Sequence, residues 1–129
     1  MTAIRRMQAL EQRAGKILLN RGYKPVIVSH FVRSSRYIGF NLTARRTGED
    51  GTVDTVMIKL KISLHPLVSP AEAAHFCRDE IACVQKFSDR AQKEKLRFEV
   101  WVAIPLDGFQ QFEITRDGIH DVTVAERGP

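Results

Sequence analysis

The sequence is poor in the residues from which disulfides and metal clusters are built. Its 129 residues include two cysteines and four histidines. Cys77 and Cys83 lie six residues apart in a helical pattern and form no CxxC pair, so we expect small apolar residues and neither a disulfide nor a zinc site. The histidines show no spacing typical of metal ligands. Cysteine or histidine metal chemistry is therefore not expected.

Long apolar runs and glycine-rich loops are also missing. No segment approaches the roughly 18 consecutive apolar residues that cross a bilayer. Met1–Leu10 carries Arg5 and Arg6 without a following apolar signal-peptide core. Gly48 and Gly51 fall in a hairpin turn and do not form a phosphate-binding loop. We therefore expect a soluble, cytoplasmic protein with no membrane partner.

Length and composition are those of one small domain. A chain of 129 residues with 43% hydrophobic content buries roughly two thirds of its unfolded surface around one core. No internal repeat, low-complexity tract or linker divides it. We expect a single domain over residues 1–125 and a frayed tail over residues 126–129.

Positive charge is concentrated in the first half of the chain. The whole chain has 20 Lys and Arg against 15 Asp and Glu, a net charge of +5. Between Arg13 and Lys61 ten bases face three acids, whereas acids outnumber bases afterwards. A polyanion such as nucleic acid is the natural partner of a basic half. A solvated surface without a partner is the alternative.

The hydrophobic pattern predicts a helix, three strands, a second helix and further strands. Helical spacing of apolar residues predicts a first helix over Thr2–Arg21, with Gly22 as its stop signal. Ser69, followed by Pro and by Glu three residues later, predicts the start of a second helix that reaches about Lys93. Alternating or continuous apolar residues predict strands over Lys24–Val32, Tyr37–Arg46, Thr52–Ser63, Phe98–Ile104, Phe109–Thr115 and Ile119–Val124. The strand Phe98–Ile104 is apolar at all positions but one and is expected to be central.

A carboxylate interrupts the apolar stripe of the first helix. Glu11 falls in the sector between Leu18 and Ile4, where the other side chains are apolar. Burying a carboxylate is costly unless it is paired, hydrogen-bonded or bound to a metal. Glu11 is therefore a candidate site residue. A partly exposed Glu that pairs with a nearby Arg is the alternative.

Several short motifs follow one another in a defined order along the chain. Glu11 precedes Gly22-Tyr23 by eleven residues. Phe40-Asn41-Leu42-Thr43-Ala44 matches a strand of the form apolar-Asp-apolar-x-Ala, and Ile58-Lys59-Leu60-Lys61 matches apolar-(Glu or Gln)-apolar-Lys. The chain thus resembles the PD-(D/E)XK superfamily, in particular small archaeal Holliday-junction-resolvase-like domains. The resemblance implies an αβββαβ restriction-endonuclease-like core, a mixed central sheet flanked by helices, and a homodimer.

Two metal ligands of that superfamily are replaced in this sequence. The resemblance places the catalytic site at Glu11, Asn41, Lys59 and Lys61, with Asn41 in the position of the Asp and Lys59 in that of the acidic ligand. In the family, carboxylates hold a divalent cation that generates hydroxide. An ammonium group at residue 59 repels such a cation. We therefore expect no metal and no resident cofactor, with Mg²⁺ or Mn²⁺ needed only by an active nuclease.

Three functions are compatible with these features. The first is a catalytically impaired nuclease-fold protein that binds nucleic-acid phosphates, DNA above all, through Lys16, Arg33, Arg36, Arg45, Lys59 and Lys61. The second is an active metal-dependent endonuclease or junction resolvase in which Asp54 or Asp50 replaces the lost carboxylate. Alternation places Asp54 on the Ile58 face, so a bulge would be needed. The third is a protein-interaction module that keeps the fold alone.

Overall fold

The computed structural model of the chain describes residues 2–28, 39–87, 89, 92–93 and 95–123. Several predicted features fall outside these residues. They are the end of the first predicted strand, the loop with Arg33 and Arg36, residues 37–38 of the second strand, residues 88, 90 and 91 of the second helix, the last residue of the final strand, and the tail over residues 126–129. Within the described part of the chain, no helix is long and apolar enough to cross a membrane.

Helices and strands follow one another in an α/β arrangement. The helices are α1 (Ala3–Asn20), α2 (Pro70–Phe76) and α3 (Arg78–Lys86). The strands are β1 (Lys24–Ile27), β2 (Leu42–Thr47), β3 (Val53–Ile62), β4 (Leu96–Ile104), β5 (Gly108–Thr115) and β6 (Gly118–Asp121).

The strands form one mixed sheet in the order β1-β2-β3-β4-β5-β6. β2 and β3 form the predicted hairpin, in which Leu42 lies opposite Ile58. β3 and β4 are parallel, whereas the other neighbouring strands are antiparallel. A parallel pair needs a long connection, and α2 and α3 lie within it. The predicted mixed α/β architecture is therefore confirmed.

Two apolar cores cover the two faces of the sheet. On one face α1 packs against the sheet through Ala14, Ile17 and Leu18, and this core includes Leu42, Ala44, Val56, Ile58, Leu60, Trp101 and Phe109. On the other face α2 and α3 supply Ala73, Cys77 and Val84, which pack with Phe98, Val100, Val102, Phe112 and Ile114. β4 contributes to both cores, as its nearly continuous apolar pattern predicted.

The prediction of one unbroken second helix to about Lys93 is wrong in two respects, because a break divides the helix and α3 ends at Lys86. The Ser69 side chain accepts a hydrogen bond from the N–H of Glu72, as the capping pattern predicted. α2 nevertheless ends at Phe76, and α3 begins at Arg78. The carbonyl of Phe76 accepts a hydrogen bond of 2.6 Å from Lys61 Nζ, a partner outside the helix. This tertiary contact explains the break at Cys77, where neither Pro nor Gly stands.

Candidate functional site

Glu11 and Asn41 contact each other in a buried position between α1 and the start of β2. Glu11 is 2% exposed to solvent and Asn41 is 6% exposed. Asn41 Nδ2 donates to Glu11 Oε2 at 3.1 Å, and Asn41 Oδ1 accepts from the N–H of Leu60 at 2.8 Å. Glu11 therefore has a polar partner, as a buried carboxylate requires. Glu11 is thus buried, as its place on the apolar stripe of α1 indicated.

Lys59 lies beside Asn41. The Asn41 backbone N–H donates to the carbonyl of Ile58, and its side chain accepts from Leu60, so Asn41 contacts the backbone on both sides of Lys59. Lys59 Nζ donates to the carbonyl of Gly39 at 3.0 Å. The side chain is half-buried. Burial lowers the pKa of the Lys59 ammonium, and nearby Lys61 lowers it further, although Glu80 opposes the shift.

Lys61 points to the same face of β3 as Lys59 and is held by α2 and α3. Its Nζ donates to Glu80 Oε1 at 2.8 Å and to the carbonyl of Phe76, and it lies 4.5 Å from the centre of the Phe76 ring. Glu80 is buried. Sequence reasoning missed Glu80, although a signal was present. It lies at helical spacing from Phe76, Cys77 and Val84, so it is a carboxylate on an apolar stripe like Glu11.

These four positions do not form a set of ligands that fits a divalent cation. The carbonyl oxygen of Asn41 is bonded to the Leu60 N–H, and its amide nitrogen is directed at the Glu11 carboxylate. Lys59 and Lys61 add two positive charges. No group of three or more His, Cys, Asp or Glu side chains within the described ranges is arranged to hold a metal ion.

Two further bases extend the positive charge across the sheet. Lys24 lies opposite Arg45 in the β1–β2 register, and both side chains are exposed. Arg45 alternates with Leu42 and Ala44, which face α1, so it points to the same side of the sheet as Lys59 and Lys61. We call Lys24, Arg45, Lys59 and Lys61 the basic face.

The chain is similar in fold to a Holliday junction resolvase. This solved structure is Archaeoglobus fulgidus Hjc, a Holliday junction resolvase from an archaeal hyperthermophile. The match has a TM-score of 0.52 and 15% sequence identity, and it covers 82% of this chain and 75% of that chain. No protein-family model and no curated protein matches the sequence. The comparison therefore supports a nuclease-like fold.

Of the remaining predicted nucleic-acid ligands, Lys16 does not join the basic face. Lys16 is exposed on α1, which packs against the opposite face of the sheet. Arg33 and Arg36 lie outside the described residues. Of the six predicted ligands, the structure places Arg45, Lys59 and Lys61 on one face.

Asp54 and Asp50, the carboxylates considered for an active nuclease, do not lie beside Lys59 and Lys61. Asp54 points to the α1 side of the sheet, where Tyr23 Oη donates to it at 2.6 Å. Burial alone would raise the pKa of Asp54, but hydrogen bonds from Arg97 and Tyr23 outweigh burial and lower it. Asp50 accepts from the N–H of Thr52 in the hairpin turn. Neither carboxylate is placed with Lys59 and Lys61.

A second polar cluster, centred on Arg97, was not predicted. Arg97 Nε and Nη2 donate to Asp54, and Arg97 Nη1 donates to Glu99 at 2.9 Å and lies 3.8 Å from Glu113. Glu99 also accepts from the indole N–H of Trp101. Burial alone would lower the pKa of Arg97, but these carboxylates raise it above its ordinary value. One guanidinium thus joins β3, β4 and β5 and neutralises part of three negative charges.

Proposed function

We propose that this chain is a PD-(D/E)XK-type nuclease-fold protein that binds the phosphates of nucleic acid, DNA in particular, without metal-dependent cleavage. The observation that carries the proposal is the position of Lys59. It is half-buried and adjacent to Asn41, the partner of Glu11, where the resemblance requires an acidic metal ligand. Within the described residues its hydrogen bond goes to a backbone carbonyl, and no carboxylate forms an ion pair with it.

The ammonium groups of Lys59 and Lys61 are placed to bind a phosphate group. Lys59 and Lys61 extend from one face of β3, and among the described residues Lys59 uses one and Lys61 two of the three N–H donors of each ammonium group. A phosphate oxygen that accepts from Lys59 would compensate its burial and the repulsion from Lys61. Lys24 and Arg45 lie on the same face for neighbouring phosphates. The resemblance of the sequence motifs to those of junction-resolvase-like domains is the ground for proposing a homodimer, in which two basic faces would contact one DNA.

Binding of labelled DNA should depend strongly on salt and on Lys59. We expect the affinity for duplex and four-way-junction DNA to fall steeply between 50 and 200 mM salt, because phosphate contacts release counterions. Lys59→Gln should weaken binding about tenfold, or about 1.4 kcal/mol. Lys16→Gln removes an exposed lysine from α1 and should leave affinity nearly unchanged. Fluorescence anisotropy over a salt series measures the DNA affinity of the native chain and of the two variants.

Two outcomes would contradict this proposal. Equal losses in Lys59→Gln and Lys16→Gln would show that net charge, not the basic face, governs binding. Cleavage of the labelled DNA in the presence of Mg²⁺ or Mn²⁺ would contradict the non-catalytic assignment, provided that Lys61→Ala abolished it.

Glu80 should act as an internal competitor of the phosphate. Because its carboxylate already bonds Lys61, replacing it with Gln should raise DNA affinity about fivefold, or about 1 kcal/mol. Only protonated Lys59 attracts phosphate, so affinity should fall as pH rises through its lowered pKa. In Glu80→Gln this fall should begin at lower pH, since Glu80 holds the pKa of Lys59 up. Anisotropy titrations from pH 7 to 10 measure both effects.

Asp79→Asn is the matched control for Glu80→Gln. It removes one negative charge from the neighbouring residue of α3, where the side chain is exposed. A similar gain of affinity in both variants would mean that Glu80 acts through net charge and does not compete for Lys61.

A further inference from the structure

Lys59 has the surroundings of a nucleophilic amine. A lysine amine reacts with carbonyl compounds when burial or a second cation makes its neutral form accessible near neutral pH. Burial is the condition that holds here, because Lys59 is half-buried, and Lys61 extends from the same face of β3 two residues away, although its charge is paired with Glu80. Lys61 is fixed by Glu80 and by the carbonyl of Phe76, so the second cation has a defined position.

We propose that the Lys59 amine condenses with an aldehyde that lies next to a phosphate group, as in a ring-opened abasic site of a nucleic-acid strand or in a free sugar phosphate. The inference rests on the proposed function, because the phosphate is the group that brings the aldehyde to Lys59. The lowered pKa of Lys59 is consistent with such a role, since it increases the fraction of neutral amine.

The reaction is a reversible condensation that needs no redox partner. The neutral amine attacks the aldehyde carbon, a C–N bond forms, and a proton passes from nitrogen to oxygen to give a carbinolamine. A proton from solvent then allows this oxygen to leave as water, and a protonated imine remains. Addition of water reverses both steps and returns free Lys59. Lys61, as the neighbouring ammonium, is placed to hold the adjacent phosphate throughout.

Borohydride trapping tests the proposal on the full chain. An oligonucleotide with one abasic site is mixed with the protein and sodium borohydride. The covalent adduct is quantified on a denaturing gel, and the modified residue is identified by mass spectrometry. We expect an adduct on Lys59. Lys59→Arg, which keeps the positive charge but has no amine able to form this imine, should reduce trapping at least tenfold. Lys16→Arg, which replaces an exposed lysine of α1 on the opposite side of the sheet, should trap normally.

Two parallel arms separate the sources of the aldehyde. A tetrahydrofuran analogue of the abasic site has no aldehyde and should give no adduct. Glyceraldehyde 3-phosphate with borohydride tests whether a free sugar phosphate reacts at Lys59. An adduct on Lys59 in either arm supports the condensation, and the more reactive arm identifies the source.

Failure of this inference is distinguishable from failure of the proposed function. Salt-dependent binding of the undamaged strand is measured in the same samples. If the strand binds but neither aldehyde reacts at Lys59, or if Lys59→Arg traps as well as the native chain, the condensation is excluded and the phosphate-binding function stands. If the strand does not bind but glyceraldehyde 3-phosphate reacts at Lys59, the nucleic-acid function fails and the amine chemistry stands.

Discussion

Replacing Arg97 with methionine is expected to lower the free energy of unfolding by about 2 to 3 kcal/mol. Removing one member of a buried ion pair costs about 3 to 5 kcal/mol, because the other charge stays buried. The Arg97 side chain is 36% exposed, so solvent screening reduces this figure. Asp54, Glu99 and Glu113 would then repel one another without the shared guanidinium. Urea unfolding at neutral pH measures the loss.

The difference in free energy of unfolding between Arg97→Met and the native chain should decrease as the pH falls. The pKa of Asp54 in the folded native chain lies below its value of 3.8 in the unfolded chain. The contribution of Asp54 to stability is therefore present above pH 3.8 and is lost as the pH falls through the folded-state pKa. The two proteins should therefore converge below about pH 4. Arg116→Met is the control, because its ion pair with Asp89 is exposed on both sides and should contribute less than about 1 kcal/mol. Equal losses in the two variants would show that the cluster has no special role.

The double variant Asn41→Asp/Lys59→Glu should acquire metal-dependent stability. It places carboxylates at both replaced positions, and the new carboxylate at position 41 would stand within hydrogen-bonding reach of Glu11, as Asn41 does at 3.1 Å. Three carboxylates without a cation should destabilise the fold in EDTA. Mn²⁺ at 100 times its dissociation constant should then stabilise it by about 2.7 kcal/mol. Urea unfolding with Mn²⁺, Mg²⁺ or EDTA measures the difference.

The native chain and the single variant Asn41→Asp are the controls. The native chain should show no metal-dependent shift, and the single variant should show a small one, because Lys59 still repels the cation. If the double variant is unfolded in EDTA, recovery of its folded circular dichroism spectrum on addition of Mn²⁺ shows metal-dependent stability equally well. Absence of any metal response would mean that residues 11, 41 and 59 do not reproduce the family's metal site.

Local periodicity was sufficient for most elements of the fold. The apolar stripe predicted a helix over Thr2–Arg21, and α1 spans Ala3–Asn20. Alternation predicted the β2–β3 hairpin, and the continuous apolar pattern of Phe98–Ile104 predicted a strand covered on both faces. The break between α2 and α3 could not be predicted in this way. Its cause is the contact of the Phe76 carbonyl with Lys61, which lies on another element.

Two residues of the candidate site interrupt apolar patterns of the sequence. Glu11 was recognised on the stripe of α1, and Glu80 could have been recognised on α3 by the same argument. The contacts of Asn41 with Glu11 and Leu60 depend on the packing of α1 against the β2–β3 hairpin. The Arg97 cluster has no local signature, since its partners come from three strands that are adjacent only in the folded sheet.

The sequence by itself determined most of the segments that form helices and strands, because side-chain periodicity follows from the local geometry of each element. It also determined that positive charge is concentrated before residue 62. The tertiary structure decided which charges stand together. Sheet register and helix packing place Lys59 and Lys61 on one face with Glu80, separate Lys16 from them, and surround Arg97 with carboxylates. Charges distant in sequence interact only after folding brings them within a few ångströms.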